Sequence, residues 1–263
     1  MYGFGHGTNI AFEWANSKYN DTSDAYMWLA GGHYTWNNDN SKFSFDVTRD
    51  GAFPTRLAYH GNSTYTSNSV SFDTRSSVSR NDIKLYNGKN YSTTALSSKY
   101  YNIYKFYKTR SNEQVAIDTT NNLFIIRVTG SSGQIFSIYK LTDIKNSSVD
   151  YIDGNIPKLA TFTIPKTPLD FQGFDIAGDY VYVYYGESNR GGTQNSQGYV
   201  AMYDFLGNEK FNKKVYSTST SIFEEPEGIK VYKESGKYVA YLGSSLVSGS
   251  QKYVKICTLN RQL

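Results

Sequence analysis

A unit of three short alternating strands recurs along this chain, and few folds can accommodate such a repeat. In the three clearest copies Gln114, Gly173 and Gly228 hold equivalent positions, about 55 to 59 residues apart. Each copy predicts a strand, a turn rich in Asn or Gly, a second strand, a Gly/Ser loop and a third strand. The predicted strands are 113–118, 123–128 and 134–141, then 172–176, 180–185 and 198–205, then 227–231, 237–242 and 251–259.

Two further copies are expected before residue 113. One begins at His6, resumes with Ala25–Leu29 and has its third predicted strand at Lys42–Thr48. The interval from Gly7 to Gln114 is about twice the repeat, so it predicts a degenerate copy between about residues 54 and 110. The predicted strands of that copy are Arg56–Tyr59, Val70–Phe72 and Ile103–Phe106.

Five copies predict an all-β, five-bladed β-propeller that occupies residues 1–263 as a single domain. A β-sandwich is the alternative, but a sandwich does not require a repeated turn pattern at a fixed period. Strand exchange between the two ends is one way to close the ring. The predicted blades are approximately residues 1–53, 54–112, 113–170, 171–225 and 226–263.

Composition supports an all-β fold and excludes several functions. The chain has 25 Tyr, 15 Phe and only 5 Pro, which suits pleated strands and turns. A net charge of +4 is too small and too scattered to indicate a nucleic-acid partner. The single cysteine, Cys257, excludes an intrachain disulfide and a zinc site built from several cysteines. Because it alternates with Val254 and Ile256, Cys257 is predicted to be a small core residue.

No apolar run reaches the roughly 18 residues that a membrane span needs. The chain starts at Met1 without a basic and apolar leader, so we expect a mature or excised domain that is secreted or virion-associated. Neither a cofactor nor a metal is predicted. The oligomeric state is left open.

A ring of polar residues is predicted where the first strands of the blades converge at one mouth of the channel. Its members are His6, Glu113, Gln172 and Glu227, each just before an alternating apolar run. Glu224 and Glu225 are predicted to lie in the loop that enters the ring. The ring could satisfy backbone N–H groups or hold water, and it could equally bind a sugar or a polyol phosphate.

The ring has two other candidate roles, a metal site and the active site of a glycosidase. A metal held by His6, Glu113 and Glu227 has no spacing rule behind it. A five-bladed glycosidase could use Glu113 and Glu227 as its two carboxylates, although His6 and Gln172 replace the acids usual for that chemistry. We therefore predict a protein that is not an enzyme.

Aromatic residues in loops and outer strands form a second candidate site, because flat rings suit the apolar face of a sugar. Alternation assigns about half of the aromatic residues to blade cores. The exposed candidates for ligand binding are Trp36, Tyr185, Asn189 and Arg190.

Several segments of the chain resemble the helveticin J family of large bacteriocins. The resemblance lies in Gly5-His6 with Phe12-Glu13, in Phe53–Tyr59, in Ala116-Ile117 with Phe136–Leu141, and in Gln172–Asp175 with Tyr180–Tyr184. The His-Gly, Gln-Gly and Glu-Pro-Glu-Gly elements are also similar to the propeller of Gram-positive phage receptor-binding proteins. These short motifs together span nearly the whole chain.

This resemblance implies a five-bladed propeller that recognises a bacterial cell-wall polysaccharide or teichoic acid. It implies that His6, Gln172 and Glu227 match the ligand-facing pattern and that Glu113 matches a helveticin-like acidic position. The leading hypothesis is a non-enzymatic, helveticin J-like bacteriocin that binds cell-envelope glycans. The alternatives are the receptor-binding domain of a phage tail protein and a five-bladed glycosidase.

Overall fold

The computed structural model describes strands in the first part of the chain and most residues after 113. The described residues are 10–14, 24–30, 33–37, 42–46, 54–60, 78–79, 101–103, 106–107, 113–147, 152–189, 192–249 and 251–259. In this part the fold is all-β, with antiparallel sheets and one five-residue helix, which confirms the prediction of an all-β fold. No helix there is long and apolar enough to cross a membrane.

The strands are numbered in chain order. In the first part they are β1 Ile10–Trp14, β2 Asp24–Ala30, β3 His33–Asn37, β4 Lys42–Asp46, β5 Pro54–His60, β6 Val78–Ser79 and β7 Tyr101–Ile103. They are followed by β8 Gln114–Asp118, β9 Leu123–Thr129, β10 Gly133–Lys140, helix α1 Leu141–Lys145, β11 Ala160–Pro165, β12 Asp170–Ala177, β13 Tyr180–Glu187 and β14 Gln197–Asp204. The last are β15 Glu209–Ser217, β16 Phe223–Glu234, β17 Lys237–Ser248 and β18 Gln251–Leu259.

The described strands form five sheets. Three hold four strands each, in the orders β1-β2-β5-β7, β11-β10-β9-β8 and β12-β13-β14-β15, and two hold three, in the orders β16-β17-β18 and β3-β4-β6. All nine strands predicted for the three clear repeats are confirmed. The fourth strands β11 and β15 had not been located from sequence.

The chain divides into two compact units. The first comprises residues 1–115, 126–129 and 139–157, and the second comprises residues 116–125, 130–138 and 158–263. In the first unit the predicted strand at Lys42–Thr48 is confirmed as β4, but its place as third strand after β1 and β2 is wrong. That place belongs to β5, which pairs with β2 from Asp24↔His60 to Ala30↔Pro54. The predicted strand Val70–Phe72 lies outside the described residues.

A buried carboxylate in the first unit explains why β5 joins β1 and β2. Glu13 of β1 accepts hydrogen bonds from Trp28 Nε1 at 2.9 Å, from Arg56 Nε at 2.8 Å and from Lys145 Nζ at 2.6 Å. Burial opposes ionisation, but these donors outweigh it and hold the pKa of Glu13 below its usual value. Glu13 and Arg56 belong to two of the segments that carry the family resemblance, and here they contact each other directly.

The second unit stacks its sheets face to face. On β13, Val181, Val183 and Tyr185 pack into one apolar cluster with residues of β9, β10 and β11. Tyr182 and Tyr184, on the opposite face of the same strand, pack into another cluster with β16 and β17. Because side chains alternate across a strand, the inner strand β13 is buried on both faces.

The first strands of these sheets are joined by carboxylates. Asp118, at the end of β8, accepts a hydrogen bond from the backbone N–H of Gly178 at 2.9 Å. Asp175 of β12 accepts one from the N–H of Val231 at 2.7 Å and pairs with Lys230 at 2.9 Å. Burial raises the pKa of Asp175 above its usual value despite these contacts.

Cys257 is exposed, so its predicted place in the core is wrong. On the same strand Val254 is 82% and Ile256 69% exposed. The strand β18 is the edge of a three-stranded sheet, and within the described residues no fourth strand lies beside it. Alternation therefore identified the two faces of β18 but not whether either face is covered.

Candidate functional site

Two of the residues predicted to form a polar ring, Gln172 and Glu227, lie at equivalent places in the first strands of their sheets. Glu113 directly precedes β8, and Gln172 and Glu227 lie within β12 and β16. The pairing register skips one residue between Phe171 and Gly173, and again between Pro226 and Gly228. Gln172 and Glu227 are thus the extra residues of two matching β-bulges, which re-aim a side chain. His6 lies outside the described residues.

Burial differs among the three described members. Glu113 is buried and belongs to the first unit, whereas Gln172 and Glu227 belong to the second. Gln172 is half-buried and Glu227 is exposed. Strands β12 and β16 contact each other, so the structure brings Gln172 and Glu227 onto neighbouring strands. Their role in binding stays a prediction.

The bulges lie at an acidic end of the second unit. Partial burial, followed by the charges of Glu227 and Asp170, raises the pKa of Glu225. Carboxylates accept hydrogen bonds from sugar hydroxyls but repel phosphates. Among the described residues no group of three His, Cys, Asp or Glu could hold a metal ion. This end of the unit suits neutral hydroxyl groups.

Glu224 and Glu225 do not lie in a loop, so that prediction is wrong. Both belong to β16, where Glu224 pairs with Leu246 and Glu225 with Ser245 of β17. The hairpin of β16 and β17 extends past the bulge because the carboxylate of Glu224 has hydrogen-bond partners there. Glu224 is only 1% exposed. Lys255 Nζ donates to its two oxygens at 3.0 and 3.2 Å. Glu224 is therefore a structural carboxylate that ties β16 to β18.

Two of the predicted loop residues are buried rather than exposed. Tyr185 is 3% exposed because the face of β13 that it occupies is covered by the preceding sheet. Asn189 is also buried, and its side-chain amide donates to the carbonyl of Thr220 at 2.9 Å. Trp36 lies in β3, but its side chain and the whole of Arg190 lie outside the described residues.

Tyr185 nevertheless lines a cavity that sequence reasoning did not locate. The cavity has a volume of about 550 Å³ and lies where the β11–β12 connection passes the end of the sheet β12–β15. Tyr185 and Tyr199, which are cross-strand partners, provide aromatic rings, and Gln197 and Asn212 provide amides. The full lining is Thr167, Pro168, Leu169, Tyr185, Gln197, Tyr199 and Asn212.

Polar contacts fix the side chains around this cavity. The hydroxyl of Tyr199 donates to Gln197 Oε1 at 3.2 Å, and Thr167 Oγ1 donates to the carbonyl of Leu169 at 2.9 Å. The ammonium of Lys214 lies 5.2 Å from the centre of the Tyr199 ring. In the sequence, the alternation of Gln197 with Tyr199 on β14 indicates that both side chains lie on one face of the sheet. The loop 167–169, which lines the other side of the cavity, carries no such signal.

Comparison with solved structures gives a likeness in fold. The fold is similar to the tail fibre of Staphylococcus aureus phage P68, with a TM-score of 0.54 and 18% sequence identity. The match covers 96% of this chain and 40% of that chain. No family model matches this chain, and no curated protein is similar to it in sequence. The likeness is therefore one of fold, and this chain spans less than half of the fibre chain.

Proposed function

We propose that this chain is a virion-associated receptor-binding module of the tail-fibre kind, which binds a Gram-positive cell-envelope glycan without changing it. The observation that carries the proposal is the likeness in fold to a staphylococcal phage tail fibre over 96% of the chain. A teichoic-acid-like polymer is the proposed target. The small positive net charge of +4 favours an anionic polymer, with rim contacts weakened by salt.

We also propose that the five repeats are blades of a propeller. Support comes from the second unit, where matching first strands are joined by Asp118 and Asp175 and the inner strand β13 of the middle sheet is buried on both faces. Wedge-shaped sheets around an axis place their first strands side by side in this way. A crystal structure of the chain tests the proposal, and sheets stacked in two layers would contradict it.

The bacteriocin hypothesis has the same ligand but a different outcome, since a bacteriocin kills the cell that it binds. No comparison supports a helveticin J relative, so this hypothesis stays a prediction. Growth of susceptible Gram-positive cells with added protein distinguishes the two. Binding without loss of viability supports the receptor-binding module.

The glycosidase alternative has one observation in its favour. The raised pKa of Glu225, beside Glu227 and Asp170, is a property that general acids share. Sugar release from wall polymers that disappears in Glu227→Gln, or in Glu113→Gln, would support hydrolysis. Intact polymer after prolonged incubation supports a binding module.

The main proposal is tested by sedimentation of the folded protein with Gram-positive cell walls. We expect it to bind intact walls and to lose binding when acid treatment has removed their phosphodiester-linked polymers. Heat-unfolded protein is the control for non-specific adsorption. Equal recovery with intact and stripped walls would exclude the polymer as target, and no recovery with either would reject the proposal.

A further inference from the structure

The cavity beside β14 has the composition of a sugar site. Its walls carry two tyrosine rings, and Pro168 and Leu169 of the β11–β12 connection add apolar surface. Carbohydrate rings and polyols present C–H groups that pack on such surfaces. A volume of about 550 Å³ accommodates a small ligand unit.

The polar groups of the lining suit hydroxyls. Gln197 and Asn212 each carry an amide, which offers two donors and one acceptor, so either can bond a hydroxyl in both directions. The Tyr199–Gln197 hydrogen bond fixes one of these amides against the ring. A second bond, from Asn212 Nδ2 to Glu209 Oε2 at 3.2 Å, orients the other.

The β15 side of the cavity carries a positive charge, whereas the residues around the bulges of β12 and β16 are negatively charged. Lys214, an exposed residue of β15, lies over the ring of Tyr199. No carboxylate lines the cavity, and the nearby Glu209 accepts bonds from Tyr203 and Asn212. The acidic bulge end repels a phosphate, whereas the ammonium of Lys214 attracts one.

The cavity is a feature of the sheet β12–β15 and is not expected at the matching place of the sheet β16–β18. Tyr185 pairs with Phe171, the residue before the bulge of β12, and with Tyr199 of β14. In the other sheet Ser244 pairs with Pro226, the residue before the bulge of β16, and with Lys255 of β18. The equivalent place in the sheet β16–β18 thus has neither aromatic ring. A ligand that needs both rings would bind at only one of these two sheets.

We propose that this cavity binds one sugar or polyol unit of an anionic wall polymer. The unit packs against Tyr199, bonds Gln197 and Asn212 through its hydroxyls, and has its phosphodiester beside Lys214. This inference rests on the proposed function, since it names the place and the chemistry of glycan binding.

The test measures the affinity of purified, soluble phosphodiester polymer from Gram-positive walls for the wild-type chain and three variants. Lys214→Ala and Asn212→Ala change exposed residues, so the fold is expected to survive. The matched control is Lys233→Ala, because Lys233 is also an exposed lysine over a tyrosine, 5.6 Å from the ring of Tyr238. Circular dichroism verifies folding of each variant.

We expect Lys214→Ala to weaken binding about tenfold, the loss of one charge-assisted contact. Asn212→Ala is expected to lower affinity roughly fivefold, and Lys233→Ala to leave it within about twofold. The weakening in Lys214→Ala is expected to diminish at high salt.

Three results overturn the proposal and are distinguishable. If both cavity variants bind the polymer as wild type does, the cavity is not the site, although the proposed function stands. If the wild-type chain does not bind the polymer at all, the proposed function fails as well. Equal weakening in Lys233→Ala would mean that diffuse positive charge, not this cavity, attracts the polymer.

Discussion

The sheets β12–β15 and β16–β18 begin from the same pattern and end in different environments. Both have a first strand with a bulge, Gln172 in one and Glu227 in the other, and a tight glycine turn into the second strand. The sheet β12–β15 has a fourth strand, and its inner strands β13 and β14 are buried on both faces. The sheet β16–β18 has three strands, and its third is largely exposed.

The difference shows that a repeated sequence determines strands, turns and register, while burial depends on what lies next to each sheet. Tyr199 lies on the third strand of one sheet as the partner of Tyr185, and Cys257 lies on the third strand of the other as the partner of Leu242. Tyr199 packs partly against an apolar cluster, whereas Cys257 is exposed. The third strand thus contributes to the core in one sheet and to the surface in the other.

The largest difference between the two sheets is expected in the stability that is lost when one apolar side chain is truncated in each. Phe174 of β12 is 1% exposed and contacts Phe136 with 5.3 Å between ring centroids. Phe174→Ala is expected to lower the free energy of unfolding by about 3 to 5 kcal/mol. Ile256→Ala on β18 is expected to change it by less than about 0.5 kcal/mol. Urea denaturation measures both, and similar losses would show that β18 is covered.

The glycine turns provide a second test. Gly178 and Gly236 have φ values of +61° and +82°, so alanine costs roughly 1 to 2 kcal/mol at either position. A methyl group at Gly178 would also overlap the hydroxyl of Tyr238, whereas the space around Gly236 is open. Gly178→Ala is therefore expected to cost about 2 to 4 kcal/mol in total, because overpacking adds to the backbone strain. Equal effects in thermal unfolding would mean that Tyr238 moves aside freely.

Sequence alone could predict the strands and the equivalent positions of Gln172 and Glu227, because side-chain period and turn residues are local properties. Gln172 and Glu227 were placed correctly in equivalent strands for this reason. The exposure of Tyr185, Asn189 and Cys257 could not be predicted, since it depends on neighbouring sheets and on a loop contact to Thr220. The cavity was missed because the connection 167–169 reaches it from another part of the chain.

A third prediction concerns Asp175, the carboxylate that joins the two sheets. Asp175→Asn is expected to change the free energy of unfolding by less than about 1 kcal/mol at neutral pH, because the relieved burial of charge offsets the weakened contact to Lys230. Because the pKa of folded Asp175 is raised, the folded state binds its proton more tightly than the unfolded state. Wild-type stability relative to the variant should therefore fall as pH rises from about 3.8 through the folded-state pKa.

Glu13 in the first unit is a matched buried carboxylate whose pKa shift has the opposite sign. Its pKa is lowered from 4.5, so it contributes stability above that pH and loses it as pH falls through the folded-state pKa. The advantage of wild type over Glu13→Gln should thus shrink on acidification, while its advantage over Asp175→Asn should grow. Parallel pH profiles for the two variants would contradict the assignment of Asp175.

The smallest effect on stability is expected at Cys257. Cys257→Ser should change the free energy of unfolding by less than about 0.5 kcal/mol, because the side chain is exposed. Tyr199→Ser on the third strand of the sheet β12–β15 should cost about 1 to 3 kcal/mol, since that ring packs against the core cluster. In the native chain a thiol reagent should modify Cys257 within about tenfold of the rate in denaturant. Protection until unfolding would instead mean that β18 is covered as β14 is, and the two sheets would then share one environment as well as one sequence pattern.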